Sequence, residues 1–361
     1  MTSRRGFLAG LLAAGVVPKP GWADAGDPAY LTAARLPDRS YWLFGLTETG
    51  DELFRLPLPD RGHAAAAHPA RPEAVAFARR PGTFAVVIDC VTGASKAVLE
   101  SPPGRHFYGH GAFSADGGLL FAPENDYKAA RGVIGIWDAA RGYARLGEFS
   151  SGGVGPHDAR LLPDGETIVV ANGGIETHPE AGRTKLNLST MRPNLTYLRL
   201  DGTAVDQTEL DPALHRNSIR HLAVGPDGLV AFAMQWEGDL AAHPPLLGLH
   251  RMGGTPRLLA AGDEDHRRMQ GYAGSIALAP ASGQVAITSP RGGLVQMFDT
   301  VTGTCLASHA GPDVCGVSDA GRGFLITAGT GIVSLAGAQG EIWRRRHACQ
   351  WDNHLVRVAR G

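Results

Sequence analysis

His157-Asp158-Ala159-Arg160, a turn at Asp164-Gly165, and then Ile168-Val169-Val170 form the stretch from which the architecture is read. A short strand, a tight turn and a second apolar strand make one phrase, and the phrase recurs. His110-Gly111-Ala112-Phe113 leads through Asp116-Gly117 to Leu119-Leu120-Phe121, and His221-Leu222-Ala223-Val224 leads through Asp227-Gly228 to Leu229-Val230-Ala231-Phe232. Looser copies open at Ala74, Ser275 and Cys315, and a last one, His354-Leu355-Val356-Arg357, stops at the C-terminus. A third strand ending near an Asp and a Gly follows several copies, as in Ile136-Trp137-Asp138 with Gly142 and Phe298-Asp299 with Gly303. Strand, turn, strand, turn at about 40 residues per unit is the pattern of propeller blades. The expected fold is therefore all-β, a seven-bladed β-propeller.

The final copy has a first strand and nothing after it, whereas residues 41–58 supply strands with no start of their own. Joining N- and C-terminal strands in one blade closes the ring and removes open sheet edges. The interval from His157 to His221 is longer than the others, and residues 174–197 read as a loop inserted over one face. A loop of that length in a compact domain is usually functional or disordered. Residues 26–361 are thus expected to form a single domain carrying one insertion.

Composition agrees. The 49 Gly and 24 Pro are spread along the chain between short apolar runs, as many strands joined by tight turns require. Lys and Arg number 34 against 35 Asp and Glu, so no broad field exists to hold a phosphate backbone or an anionic membrane, and nucleic-acid binding is disfavoured. Cys90, Cys305, Cys315 and Cys349 lie far apart with no Cys-x-x-Cys spacing, which argues against a zinc knuckle or a redox dithiol and leaves disulfide pairing open. Nucleophile elbow, His-Glu-x-x-His, phosphate-loop, dinucleotide and haem-attachment patterns do not occur, so the common catalytic classes have no sequence support.

At the N-terminus Ser3-Arg4-Arg5-Gly6-Phe7-Leu8 precedes a short apolar run to Val17, then Pro18-Lys19-Pro20 and the small-x-small site Ala23-Asp24-Ala25. This is the anatomy of a twin-arginine signal peptide, expected to be cut after Ala25, and it places the mature protein in the periplasm with no membrane span. The apolar run is too short to cross a bilayer. Cargo on this route folds before export, which hints at a cofactor.

The first strand of each blade runs beside the central channel, so the residues opening those strands converge there. They read Ala74, His110, His157, His221, Ser275, Cys315 and His354, and four histidines out of 14 in the chain occupy this one position. Imidazoles on one narrow ring suit copper, iron or zinc better than calcium or magnesium. Cys315 and Met191 are secondary ligand candidates for a softer ion. The competing reading makes these histidines braces that hydrogen-bond Asp116, Asp164 and Asp227 in neighbouring turns; the two readings differ in direction, into the channel or into the turns. Arg105, His106, Asn172, His178, Arg183, Arg220, Gln235 and Arg291 follow strand ends on the same face and are candidates to bind a ligand or cofactor, although turn chemistry accounts for such residues equally well.

Arg105-His106-Phe107-Tyr108-Gly109-His110-Gly111, Gly155-Pro156-His157, Ala171-Asn172-Gly173-Gly174-Ile175-Glu176-Thr177-His178-Pro179, Lys185-Leu186-Asn187-Leu188 and Ser218-Ile219-Arg220-His221-Leu222 resemble a bacterial family of twin-arginine-exported proteins of unknown function. The resemblance covers nearly the whole mature chain. It implies a role near iron acquisition, because members tend to be encoded beside imelysin-like periplasmic proteins and a di-haem oxidoreductase-like protein. It transfers no catalytic residues.

Three functions follow as expectations. The first is a periplasmic metal-associated propeller in iron or copper handling, with the histidines at the channel and the insertion as a lid or partner surface. The second is a metal-free scaffold that docks an imelysin-like or haem-bearing partner. The third is an enzyme resembling propeller lactonases or quinoproteins.

Overall fold

Apolar runs such as Thr167–Asn172 and Glu73–Ala78 are buried at every position rather than at alternate ones. A strand buried on both faces has to be covered twice, and in this chain each such strand lies between two neighbouring sheets. The computed structural model describes residues 20–78, 83–182 and 184–358 and shows seven twisted sheets packed side by side around one axis, a seven-bladed β-propeller.

Blade 1 takes its inner strand, Gln350–Arg357, from the C-terminus and its other three, Tyr30–Arg35, Tyr41–Leu46 and Glu52–Leu58, from the N-terminus. Blade 2 is Gly62–Ala67, Glu73–Ala78, Phe84–Asp89 and Ser95–Glu100. Blade 3 has a split inner strand, Arg105–Phe107 and Ala112–Phe113, followed by Leu119–Asp126, Arg131–Asp138 and Ala144–Ser150. The inner strands of blades 4 to 7 are Pro156–Leu161, Asn217–Val224, Ser275–Ala279 and Val314–Asp319.

The core lies between the blades. Between blades 2 and 3, for example, Val75, Phe77, Phe107, Leu120 and Trp137 form one buried cluster. Each such large side chain contributes roughly 1.5–3 kcal/mol by leaving water. Outer strands such as Ala204–Glu209 and Gly340–Arg346 are largely exposed and polar, which keeps the rim soluble. In blades 2, 3 and 6 an Asp ends the third strand and caps the next turn: Asp89, Asp138 and Asp299 each accept two backbone N–H groups through Oδ1.

Closure follows the expected plan, because Tyr30–Arg35 pairs antiparallel with Gln350–Arg357. Two details differ from the sequence reading. The copy opening at Ala74 is the second strand of blade 2; its first is Gly62–Ala67, in which small alanines replace the usual β-branched signal. The insertion ends at Pro193, since Asn194–Arg199 is already the third strand of blade 4, and it contains two 3-10 turns, Pro179–Ala181 and Leu188–Thr190.

Residues 1–19 of the expected leader lie outside the described residues. Its last residues, Trp22–Ala25, form a short 3-10 turn in which the buried Trp22 indole donates to the His68 carbonyl at 2.9 Å. Among the described residues no helix is long and apolar enough to cross a membrane.

The seam between blades 7 and 1 is tight. A Cβ added to Gly316 of blade 7 would stand 2.7 Å from Thr327 Oγ1, 2.8 Å from the Leu355 nitrogen and 3.0 Å from the His354 carbonyl carbon, two of them backbone of blade 1. Gly316→Ala is accordingly expected to cost about 1–3 kcal/mol, the range for overpacking a rigid site. Its denaturant midpoint should fall against wild type, and an unchanged midpoint would show that the seam yields.

Candidate functional site

A regular strand of paired residues alternates its side chains between two faces, so aiming one toward the propeller axis takes a local irregularity. Six of the seven inner strands carry one, always as extra residues on the inner strand. Register shifts fall at His63-Ala64, His157, Arg220, Cys315-Gly316 and Asp352-Asn353-His354, and the split inner strand of blade 3 leaves His110 in its gap. The inner strand of blade 6, which begins at Ser275, is regular. Bulges of this kind re-aim side chains and often border sites.

Their result is a ring-like cluster of five imidazoles from five consecutive blades, folded so that His110 and His354, not neighbours in the circuit, also stand 4.7 Å apart. Going round it, ring centroids are 4.6 Å apart for His354 and His63, 4.9 Å for His63 and His110, and 5.3 Å for His110 and His157. The circuit closes with 4.7 Å from His157 to His221 and 4.7 Å from His221 to His354. Gly109, at φ +96°, lets the chain pass His63, whose Cδ2 would lie 2.4 Å from any Cβ there.

Two sets of histidines bring one nitrogen each within 4.8 Å of one another: His63, His110 and His354, and then His110, His157 and His221. Around a tetrahedral ion with bonds of about 2.1 Å, ligand nitrogens stand about 3.4 Å apart, so modest inward rotation closes either set on an ion. Among the described residues the buried nitrogens His110 Nε2, His221 Nδ1 and His354 Nε2 have no hydrogen-bond partner.

Asp158 holds His110 in place. Its carboxylate is fully buried, lies 3.5 Å from His110 Nδ1, accepts the Leu222 N–H at 3.0 Å and the Ala159 N–H at 2.9 Å, and pairs with Arg160. It therefore ties blades 3, 4 and 5 together. A proton on Nδ1 facing this carboxylate leaves the Nε2 lone pair for a ligand, the arrangement common behind metal-bound histidines. His157 is held differently, since Arg220 donates to its Nδ1 at 3.4 Å. Arg220 is in turn 3.6 Å from Glu237, which pairs with Lys185 of the insertion.

Burial holds His110, His157, His221 and His354 well below the usual histidine range, helped by the neighbouring imidazoles and by Arg160 and Arg220. These four imidazoles are neutral near pH 7. Burial also raises the Asp158 carboxyl, against the opposing pull of Arg160.

The four histidines read from the repeat starts all meet here. The fifth, His63, was missed, because the alanines after it hide the strand; the signal that could have found it is the Gly-His step of Gly62-His63, shared with Gly109-His110. Asp116, Asp164 and Asp227 accept N–H groups of their own turns, and the imidazoles pack on one another in the channel. The brace role belongs instead to His68, whose Nε2 meets the Gly117 carbonyl at 3.1 Å.

Cys315 is not in either histidine set. The Cys315 thiol donates to the Asp313 carbonyl at 3.1 Å, and burial pushes its pKa far up; Met191 is buried at the end of the insertion. Of the eight ligand candidates, Arg220 reaches an imidazole. Arg105 is bound to Glu124, Asp126 and Glu148; His106 accepts from Asn125, which also reaches Thr177; and Asn172 is buried among Ser151, Asn194 and Thr196. These three are structural anchors for blade 3 and the insertion. His178 caps a 3-10 turn, Gln235 donates to the Ala273 carbonyl, and Arg291 stacks over Tyr272 at 4.3 Å. Arg183 lies outside the described residues.

Comparison with known proteins adds family and fold. The chain belongs to the DUF1513 family of proteins of unknown function, whose model matches residues 56–358. No curated protein matches it. Among solved structures it resembles a chain of Kuenenia stuttgartiensis hydrazine synthase, with a TM-score of 0.59 at 14% identity over 92% of this chain and 97% of that one. A chain of a nidogen/laminin complex superposes with a TM-score of 0.50, also at 14% identity, over 80% of this chain and 99% of that one. At such identity these likenesses speak for the fold alone.

The depressed histidines set a pH dependence for metal-free protein. Below the ordinary histidine pKa of 6.5 the unfolded chain takes up protons that the folded ring refuses, so stability is full above that value and declines as pH falls beneath it. The melting temperature of chelator-treated protein should drop between about pH 7 and about pH 5, and more steeply than that of the four-histidine alanine variant. Equal slopes for the two proteins would remove the ring as the cause. Asp158→Ala should cost about 2–4 kcal/mol, since it leaves a buried N–H and one side of His110 unpartnered while Arg160 is partly solvated.

Proposed function

We propose that the protein binds one transition-metal ion, copper, iron or zinc, in the imidazole ring and serves metal handling in the periplasm. The observation that carries this reading is the gathering of five imidazoles, of which His110, His221 and His354 each have a buried nitrogen with no hydrogen-bond partner among the described residues. An imidazole donor set favours borderline ions over calcium and magnesium. His110, backed by Asp158, belongs to both histidine sets and is the expected anchor. His63 and His354 complete the more buried set, whereas His157 must give up its contact with Arg220 before its Nδ1 can serve.

The periplasmic setting is part of the same proposal and rests on the twin-arginine leader read in residues 1–25. So does work beside an imelysin-like or di-haem partner, which rests on the family resemblance. The insertion lies on the face where the inner strands begin and touches the ring through Lys185, Glu237, Arg220 and His157, a route by which such a partner could sense occupancy.

Elemental analysis by plasma mass spectrometry on protein exported through its own leader tests the reading. About one copper, iron or zinc ion per chain is expected, lost in a His63→Ala, His110→Ala, His354→Ala variant that keeps its strand content by circular dichroism. Wild-type protein that is empty and resists loading would sink the proposal and favour the metal-free scaffold.

A further inference from the structure

Five blades contribute an imidazole to the channel and two adjacent blades do not. Blade 6 offers Ser275 where the others place histidine, and blade 7 offers Gly316 against the backbone of His354. A cavity of about 430 Å³ opens on this side and runs to the face where the inner strands end. His221 and His354 line it, and each carries a buried nitrogen without a partner among the described residues.

The rest of its wall is mostly apolar and carries two arginines, two aspartates and two serines. Arg160, Ser275 and Ser318 line it, and the Arg160 side chain is one-third exposed. The carboxylates present are already engaged: Asp158 is fully buried against Arg160 and two backbone N–H groups, and Asp319 Oδ1 accepts the Gly321 N–H in its own turn. Arg357 stands at the same mouth, paired with Glu48 and the Asp319 carbonyl. The Arg160 guanidinium and the hydroxyls of Ser275 and Ser318 supply hydrogen-bond donors along this wall, which fits an anion.

We propose that this cavity binds a small carboxylate or oxyanion, held by Arg160 with Ser275 and Ser318, and that the anion reaches the imidazole ring from the face opposite the insertion. The proposal rests on the metal reading for one point alone, that the anion's inner end becomes a ligand of the ring-bound ion. Binding through Arg160 needs no metal and is expected in chelator-treated protein too.

Titration calorimetry tests it, using the full mature chain, chelator-treated and metal-loaded, with citrate as the carboxylate probe, inorganic phosphate as the oxyanion probe and glycerol as the neutral control. Metal-free wild type should bind citrate or phosphate and not glycerol, and whichever binds identifies the ligand chemistry. Arg160→Gln should weaken that binding about tenfold or more, the loss of one charge-assisted contact. Because Arg160 also faces Asp158, a second variant is read beside it: Ser275→His places in blade 6 the side chain that five other blades already carry, and should block the cavity without loss of fold.

Absence of citrate and phosphate binding in both forms would overturn the proposal, as would binding left unchanged by Ser275→His. Binding seen only in metal-loaded protein and insensitive to Arg160→Gln would also overturn it, since the anion would then sit on the ion and not in the cavity. Anion binding in a protein that never takes up metal would uphold the cavity while removing the metal reading, so the two fail separately.

Discussion

Everything in this molecule depends on the pairing of Gln350–Arg357 with Tyr30–Arg35 across the chain termini. Without it seven sheets would form an open arc with two bare edges, and the inner strands would have no reason to stay at a common radius. The pairing does a second thing at once. Its bulge carries His354, and Thr32 Oγ1 donates to the His354 carbonyl at 2.8 Å, so the hydrogen bonds that close the circle also aim one of the five imidazoles. Fold closure and site assembly are one event.

Crowding at the axis explains why the site is so compact. Seven inner strands converge on a channel too narrow for seven large side chains, and most positions following the histidines are small: Ala64, Ala65, Gly111, Ala112, Ala159 and Ala223. The small residues let the blades approach, the bulges turn the imidazoles inward, and the cavity opens where blade 6 has Ser275 in place of a histidine. Site and entrance therefore have the same origin, an unequal sharing of volume among blades of equal backbone.

The blade count, the closure and four of the five histidines were legible because they rest on local patterns repeated along the chain. His63 was not, since Gly62-His63-Ala64-Ala65-Ala66 has neither β-branched residues nor a following Asp-Gly turn, and the stronger strand beginning at Glu73 took its place in the count. Asp158 was invisible as a functional residue for another reason. Its partners are His110 and Leu222 on the two neighbouring blades, and no spacing along the chain encodes contacts between blades. The same holds for Cys315, whose place in the repeat suggested a ligand although its thiol is spent on Asp313 two residues earlier. Position in a repeat says where a residue stands; only packing says which way it faces.

Taken alone, the ring costs the fold stability. A buried polar atom without a partner costs about 1–3 kcal/mol, and His110, His221 and His354 each present one. Together they claim a sizeable share of the 5–15 kcal/mol by which a domain is stable. Leucine or phenylalanine at those positions would fill the channel without that cost, as apolar replacements of buried polar groups often do. A chain that instead gathers five imidazoles, holds four of them below the usual histidine range by burial, and sets a buried carboxylate beside His110 gives up stability at these positions. In each of two sets, His63 with His110 and His354, and His110 with His157 and His221, three nitrogens lie within 4.8 Å of one another, a spacing that one group with several open coordination positions could bridge.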